Sequence, residues 1–177
     1  MAEEPRFDPY AVLSALDQQD VSYVIIGAFA RVVQGAEELT RGIDIVPAMR
    51  PENLQRLQLA LGELNARSLD GGELPPLAEG LAREPVLALA SERGELKLVP
   101  EPAGTQGYED LRRAATREPL GRGLRPEVAS IGDLARMLGA LGREQELPRL
   151  LMLRRMIELE RSRGRSLERS RGRGLER

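Results

Sequence analysis

Repeating patterns of apolar and polar positions divide the first part of the chain into alternating strands and helices. Residues 21–26 are mostly apolar and β-branched, which predicts a buried strand that ends at Gly27. Residues 28–33 predict a short helix. Residues 42–46 alternate between apolar and polar positions, as a half-buried strand does. Leucines at spacings of three and four after Pro51 then predict an amphipathic helix.

The rest of the chain continues this alternation before it becomes mainly helical. Residues 86–90 and 95–99 predict a β-hairpin. Further helical segments are predicted to start at Asp8-Pro9, within the loop 68–82, at Gly107, at Ser130 with Asp133 in a capping-box pattern, and at Pro148. The predicted fold class is α/β (α+β). A small mixed β-sheet flanked by helices forms a core over residues 1–104, and a helical C-terminal part over 105–160 packs on it.

The amino-acid composition removes several kinds of catalytic chemistry. The 177 residues include no Cys and no His, which excludes disulfides, thiolate and imidazole metal ligands, and Ser-His-Asp catalysis. Carboxylates, Lys, Tyr, Ser, Thr or a carboxylate-held metal remain as catalytic groups. Of the 26 cationic residues, only Lys97 is a lysine. A preference for Arg is typical of GC-rich coding sequences, yet it makes the position of Lys97 informative.

Positive charge is concentrated at the C-terminus. Residues 161–177 form two octapeptide repeats and a final Arg, with seven arginines, two glutamates and a net charge of +5. Residues 1–160 therefore carry a net charge of −7. Because Gly and Ser in the repeats cannot build a core, we predict a disordered Arg-rich tail over 161–177. It is either a solvated extension or an arm that attracts phosphates, and its lack of aromatic residues limits base stacking.

Membrane attachment is not expected from the sequence. No segment approaches the roughly 20 consecutive apolar residues of a membrane-spanning helix. Residues 1–6 are acidic and lack the apolar segment of a signal peptide. We therefore expect a cytoplasmic protein without a membrane partner.

The densest functional signal lies between residues 23 and 46. A strand leads into Gly27, a short helix follows, and the next strand carries Asp44 at its centre. Glycine at a strand-to-helix turn lets a phosphate approach the backbone N–H groups of the helix start. A carboxylate on the neighbouring strand can hold Mg²⁺. The same pattern is also found in ordinary packing turns, in which case Asp44 is a surface strand residue.

Two motifs extend this signal. Gly27-Ala28 lies at the turn, and residues 40–45 read Thr-Arg-Gly-Ile-Asp-Ile. Together with the later segments 94–111 and 128–143, they resemble the nucleotidyltransferase superfamily, in which Gly-Gly or Gly-Ser is followed by Thr-Arg-Asp-Ile-Asp-Ile. The most similar branch contains small bacterial proteins related to the toxin halves of abortive-infection toxin–antitoxin systems. The resemblance covers about residues 10–157 and implies a minimal nucleotidyltransferase fold.

The resemblance also implies a metal site, and this chain departs from it. Members of the superfamily use three carboxylates to hold two Mg²⁺ ions that align a nucleoside triphosphate with an attacking hydroxyl. Here Asp44 is present, but the first position of the Asp pair is Gly42 and the third carboxylate position is Lys97. Further departures are Ala28 for the second glycine, Leu138 for a helix lysine, and Glu146 for a following aspartate.

These departures imply a degenerate active site in which Asp44 is the remnant of the catalytic set. One carboxylate cannot clamp two divalent ions, so no cofactor is expected. We predict a non-catalytic module that binds a nucleotide, an RNA or a protein. Its implied nucleotide-binding residues are Gly27, Ala28, Arg41, Asp44 and Lys97, and Arg31 is a further candidate for phosphate contacts. Lys97 and Asp44 could form an ion pair in place of the metal, or Lys97 could simply face solvent.

Two alternative functions stay open. The first is an active, toxin–antitoxin-like nucleotidyltransferase that modifies RNA or protein with a shifted Mg²⁺ site, in which Glu95 joins Asp44 as a metal ligand. The second is a structural or regulatory subunit of a toxin–antitoxin-like pair. In that case the Met and Leu side chains of residues 148–160 would form a partner surface instead of core.

Overall fold

The computed structural model describes the backbone of residues 6–173 and the side chains of residues 6–168. The strands are β1 (Tyr23–Ile26), β2 (Gly42–Pro47), β3 (Arg67–Ser68), β4 (Leu87–Ser91), β5 (Gly94–Leu98), β6 (Thr116–Arg117) and β7 (Glu127–Val128). The helices are α1 (Pro9–Gln18), α2 (Gly27–Val33), α3 (Pro51–Glu63), α4 (Leu77–Arg83), α5 (Tyr108–Leu111), α6 (Ile131–Leu141) and α7 (Leu147–Arg173), with a 3₁₀ turn at Glu144–Glu146.

The strands form one mixed sheet, in the order β3-β4-β5-β2-β1-β7-β6. β2 runs parallel to β5 and β1 runs parallel to β7, whereas the other neighbours are antiparallel. The predicted α/β class with a mixed sheet and flanking helices is confirmed. The parallel pairing places the central residues of β2 and β5 side by side.

Helix packing builds the core around this sheet. Leu13 and Leu16 of α1 and Leu57 and Leu61 of α3 are fully buried, and the two helices pack against each other. Burying one leucine side chain contributes about 1.5–3 kcal/mol. The four leucines therefore explain why the predicted apolar faces of α1 and α3 turn inward.

Two helix starts follow the capping chemistry in the sequence. The Asp8 carboxylate accepts a hydrogen bond from the Ala11 N–H at 3.1 Å, with Pro9 in the first turn of α1. The Ser130 hydroxyl accepts one from the Asp133 N–H at 3.1 Å, at the start of α6. The second of these bonds confirms the predicted cap at Ser130.

The sheet does not stop at residue 104. β7 lies beside β1, with Val128 aligned to Ile25, and β6 pairs with β7. A division at 104 therefore cuts through one sheet, and the segment 105–160 contributes strands as well as helices. The helix predicted from Gly107 is only the single turn α5. A strand of two residues is too short to show the alternation of apolar and polar positions from which strands are predicted.

The last helix differs from the sequence-based expectation. α7 is continuous from Leu147 to Arg173, whereas disorder was predicted from residue 161. Arg, Leu and Glu favour helices, and each octapeptide contains at most two glycines, which explains the extension. Residues 174–177 lie outside the described part. Leu150 and Leu153 are buried, so one face of the first turns of α7 belongs to the core, whereas Leu147 and Leu151 are exposed. No described helix, α7 included, is long and apolar enough to cross a membrane.

Candidate functional site

A cleft of about 400 Å³ lies where β1, β2 and β5 face α6. On its sheet side are Gly27, Ala28, Asp44 and Lys97, four of the five predicted nucleotide-binding residues. Its apolar lining comes from Pro85, Val86, Val99, Leu134, Met137, Leu138 and Leu141, and its further charged residues are Arg31, Glu101, Arg143 and Glu146. Asp44 and Lys97 thus bring charge to the cleft from the sheet, and Leu134, Met137, Leu138 and Leu141 of α6 form an apolar wall.

Position 27 requires a glycine because of its backbone conformation and its contact with Asp44. Its φ of +71° lies in the left-handed region, and a Cβ atom there would lie 2.6 Å from the Asp44 Oδ2. Ala28 follows as the second residue of α2 and, like most non-glycine residues, has a negative φ. The replacement of the second glycine by Ala28 is therefore compatible with this turn, whereas Gly27 cannot carry a side chain without moving Asp44.

Asp44 is half-buried at the centre of β2. It pairs with Ile26 of β1 on one side and with Lys97 of β5 on the other. Burial raises the pKa of the Asp44 carboxyl above its ordinary value, the charges of Lys97 and Arg31 partly oppose that rise, and Glu95 adds to it. No hydrogen bond to this carboxylate occurs among the described residues. A desolvated carboxylate in a cleft with a raised pKa is typical of functional sites.

Lys97 projects from the exposed face of β5 into the same cleft. Its main chain is aligned with that of Asp44 in the parallel register, and its charge acts on the Asp44 carboxylate. The expected ion pair is nevertheless not formed, because within residues 6–168 no Lys97 nitrogen comes within 4.0 Å of a carboxylate oxygen. The Lys97 ammonium is thus close to Asp44 and still open to a ligand.

Gly42 has a steric reason to be a glycine. It is aligned with Glu95 across the β2–β5 pair, and a Cβ atom at Gly42 would collide with the Glu95 carbonyl oxygen. The two strands approach too closely for any side chain at this position. The resemblance places a carboxylate at this position. This chain lacks that carboxylate, and its backbone geometry leaves no room for one.

The donor set does not fit a two-metal site. Glu95 is exposed on the same sheet face as Asp44 and influences its pKa, but it does not line the cleft. No group of three or more His, Cys, Asp or Glu side chains in the described part of the chain is arranged to hold a metal ion. Lys97 adds a positive charge beside Asp44, which opposes cation binding. The proposed Asp44–Glu95 ligation of Mg²⁺ stays a prediction.

Arg31 reaches the cleft but is held by an acidic partner. The residue is 8% exposed, and its guanidinium donates two hydrogen bonds to Glu38, at 2.6 and 3.0 Å. Arg149 of α7 also donates to Glu38 at 2.9 Å and to Glu146 at 2.7 Å. Burial favours a higher pKa for Glu38, but the hydrogen bond and charge of Arg31, with those of Arg149, lower it overall. This network ties α2 and the loop after it to α7.

Sequence reasoning and the structure differ at the edge of the cleft. Arg41 is exposed and does not line the cleft, and its carbonyl accepts the Glu95 N–H at 3.2 Å. Arg143 and Glu101 do line it, although neither was a candidate. The sequence signals for Arg143 are its place at the end of the segment that carries the resemblance and the preceding Gly142, which ends α6 in a left-handed conformation.

Comparisons with known proteins identify the fold. No protein-family model and no curated protein matches the chain. Among solved structures, the antibiotic-resistance factor ANT(2'')-Ia, a nucleotidyltransferase, superposes with a TM-score of 0.54 at 14% identity, over 93% of this chain and 95% of that one. The chain has a nucleotidyltransferase fold. A Thermotoga maritima protein described as a candidate nucleotidyltransferase gives a TM-score of 0.49 at 16% identity, over 80% of this chain and 86% of that one.

The nucleotidyltransferase fold agrees with the order of elements predicted from the Gly27 turn and the Asp44 strand. Within that fold, the cleft has one carboxylate on β2 and one lysine on β5. The helix α6 adds Leu138, which is buried and lines the cleft at the position where the resemblance expects a lysine. The cleft therefore combines one acidic and one basic side chain on adjacent strands with an apolar wall from α6.

Proposed function

We propose that the cleft binds a nucleotide without a divalent metal ion and that the protein does not transfer the nucleotide. The observation that carries this proposal is the placement of Lys97. It is aligned with Asp44 in the β2–β5 register, lines the cleft and forms no ion pair within residues 6–168. Its ammonium provides the positive charge that a metal ion would otherwise bring to the phosphates.

The lining of the cleft supports a nucleotide as the ligand. Lys97 and Arg143 offer cationic donors for phosphate oxygens, while Arg31 is already engaged by Glu38. The apolar wall, which includes Met137 and Leu138, provides a surface for a base or a ribose. A volume of about 400 Å³ lies within the range of small-molecule sites.

The absence of transfer follows from the donor set. Phosphoryl and nucleotidyl transfer depend on metal ions that neutralise the developing charge and align the attacking group. Gly42 has no room for a carboxylate, and Lys97 replaces another. Asp44 remains from the set of three carboxylates, and one carboxylate cannot hold two divalent ions.

The resemblance also implies an RNA or a protein as a partner. A toxin–antitoxin-like partner and the cytoplasmic location are implied by the resemblance and by the lack of a membrane-spanning segment in the sequence. The competing function is transfer of a nucleotide to RNA or protein through Asp44, Glu95 and Mg²⁺. That function predicts that label from a nucleoside triphosphate is transferred to RNA or protein.

The first test measures nucleotide binding to single variants. We expect Lys97→Gln to weaken the binding of nucleoside triphosphates about tenfold or more, since a charge-assisted hydrogen bond contributes about 1.5–3 kcal/mol. Lys97→Arg should keep most of the affinity. Arg67→Gln is the matched control, because Arg67 is an exposed cation of β3 outside the cleft. Isothermal titration calorimetry with and without EDTA should give equal affinities for the unmodified protein, and an affinity lost with EDTA would contradict metal-free binding.

The second measurement addresses transfer. The full chain is incubated with each α-labelled nucleoside triphosphate, Mg²⁺ or Mn²⁺ and total tRNA, and label is sought in RNA and protein. We expect none above the level of an Asp44→Asn variant. Label transfer that Asp44→Asn abolishes would establish the active enzyme instead.

A further inference from the structure

A second charged surface lies away from the cleft, on the exposed end of α7. We call residues 161–168 of this helix the basic arm. We propose that the basic arm binds the phosphate backbone of a nucleic acid, independently of the cleft and without reading its sequence. This binding site goes beyond the nucleotide-binding function of the cleft.

The side chains of the arm lie at the surface of the protein. Every side chain from residue 161 to 168 is exposed, in contrast to Leu150 and Leu153 at the beginning of the same helix. α7 packs against α6 and the 3₁₀ turn that precedes it. Because α7 leaves the body of the protein after these contacts, the arm presents its whole circumference to solvent.

The cations at the start of the arm have no carboxylate partner within residues 6–168. Within residues 6–168, none of Arg161, Arg163 and Arg165 comes within 4.0 Å of a carboxylate oxygen, although the body is acidic. By contrast, Arg149, twelve residues earlier on α7, pairs with both Glu38 and Glu146. Arg149 is thus tied to the body of the protein, whereas Arg161, Arg163 and Arg165 have no such carboxylate partner within residues 6–168.

The distribution of the arginines favours a polyanion over a protein surface. A step of two residues rotates a helix by about 200°, so Arg163 points away from Arg161 and Arg165. A protein partner would need one face with apolar or aromatic anchors. Leu167 is the only apolar residue between 161 and 173, and the arm has no aromatic residue. A flexible chain of phosphates can contact guanidinium groups on several sides.

The chemistry of the arm suits phosphates in particular. A guanidinium presents five N–H donors in a planar fork that matches phosphate oxygens, and it stays charged at all relevant pH values. Because no ring is available for stacking, the contacts are limited to the backbone of the nucleic acid and are independent of base sequence. The acidic body, with a net charge of −7 over residues 1–160, would repel the same polyanion. The arm is thus the cationic surface that attracts it.

The test measures binding of the full chain to a fluorescein-labelled 20-nucleotide single-stranded RNA by anisotropy, between 50 and 300 mM NaCl. We expect the triple variant Arg161→Gln, Arg163→Gln, Arg165→Gln to bind at least about tenfold more weakly at 50 mM, and the slope of log K against log salt to become shallower by about 2. The triple Arg→Lys variant should keep most of the affinity, since the phosphate term depends on charge. Circular dichroism verifies that the helix content of each variant is unchanged.

Matched controls separate the arm from net charge and from the cleft. Arg67→Gln, Arg83→Gln and Arg125→Gln together remove the same charge from exposed positions of the body, and we expect them to leave RNA affinity within about twofold. An equal loss from both triple variants, or none from the arm variant, would overturn the proposal. So would complete displacement of the RNA by a nucleoside triphosphate, which would place the RNA in the cleft. Self-association of the unmodified chain that the arm variant abolishes, without RNA binding, would assign the arm to a second copy instead.

Discussion

Gly27 and Gly42 lack a side chain for two different reasons, and only one of them is visible in the sequence. Gly27 has a positive φ at a strand-to-helix turn, which the motif predicts. Gly42 lies inside β2, where its main chain approaches the carbonyl group of Glu95 on the parallel strand β5. The motif alone presents Gly42 as a lost aspartate. The strand spacing shows that the carboxylate and its space are both absent.

This difference makes a prediction for Gly42→Asp. The new Cβ has to push β2 and β5 apart, so we expect a loss of about 1–3 kcal/mol or more in the free energy of unfolding. Gly62→Ala is the control, because no atom lies within 4 Å of a Cβ atom at that helical position, and it should stabilise the protein by up to about 1 kcal/mol. Urea unfolding followed by circular dichroism measures both. A Gly42→Asp protein as stable as the unmodified one, with a Mg²⁺-dependent rise in melting temperature, would show that the site can be rebuilt.

At the level of elements, one ion-pair network joins the cleft to the C-terminal helix. Arg31 of α2 and Arg149 of α7 both donate to Glu38, which lies in the loop between α2 and β2. Glu38 and Arg149 are 111 residues apart, so no local pattern connects them. These hydrogen bonds connect Arg31, which lines the cleft, to α7. The side chains of Arg31 and Glu38 are 9% and 11% exposed, so their ion pair is largely shielded from solvent.

We expect Glu38→Gln to destabilise the protein at neutral pH by on the order of 3 kcal/mol, because it leaves the Arg31 charge buried without its partner. The pKa of Glu38 is lowered in the folded state, so its contribution is present above the ordinary value of 4.5 and is lost as pH falls through the lowered pKa. The stability difference between the two proteins should shrink on acidification. Glu109→Gln, at an exposed pair with Arg112, serves as the control and should change stability by less than about 0.5 kcal/mol. A pH-independent difference would exclude this role for the Glu38 charge.

At the scale of the whole molecule, the chain divides into an acidic body and a basic arm, and the two differ in packing as well as in charge. The body ends where α7 loses contact with α6, after the buried residue Leu153 and its half-buried neighbours Met156 and Ile157. The net charge of −2 for the entire chain conceals this separation. Binding to polyanions should therefore depend on the arm even though the protein as a whole is acidic.

Limited trypsin digestion tests this division. Arg161, Arg163 and Arg165 are exposed on the part of α7 that follows its buried residues, so local opening there costs little and cleavage should occur first. We expect an early, stable fragment whose C-terminus lies between Arg154 and Arg165, identified by mass spectrometry. Cleavage within the body before the arm, for instance after Arg113 or Arg125, would contradict the proposed boundary.

The sequence by itself determined the main strands and helices and the turn at Gly27, and the resemblance singled out Asp44 and Lys97, which the structure places in one cleft. These features follow from local periodicity, from turn chemistry and from a short motif, all of which act over a few residues. Only the tertiary structure decided the rest, which includes the place of β7 beside β1 and the Gly42–Glu95 contact. Strand order, interstrand spacing and ion pairs between distant segments depend on how the elements pack, and no local pattern encodes them.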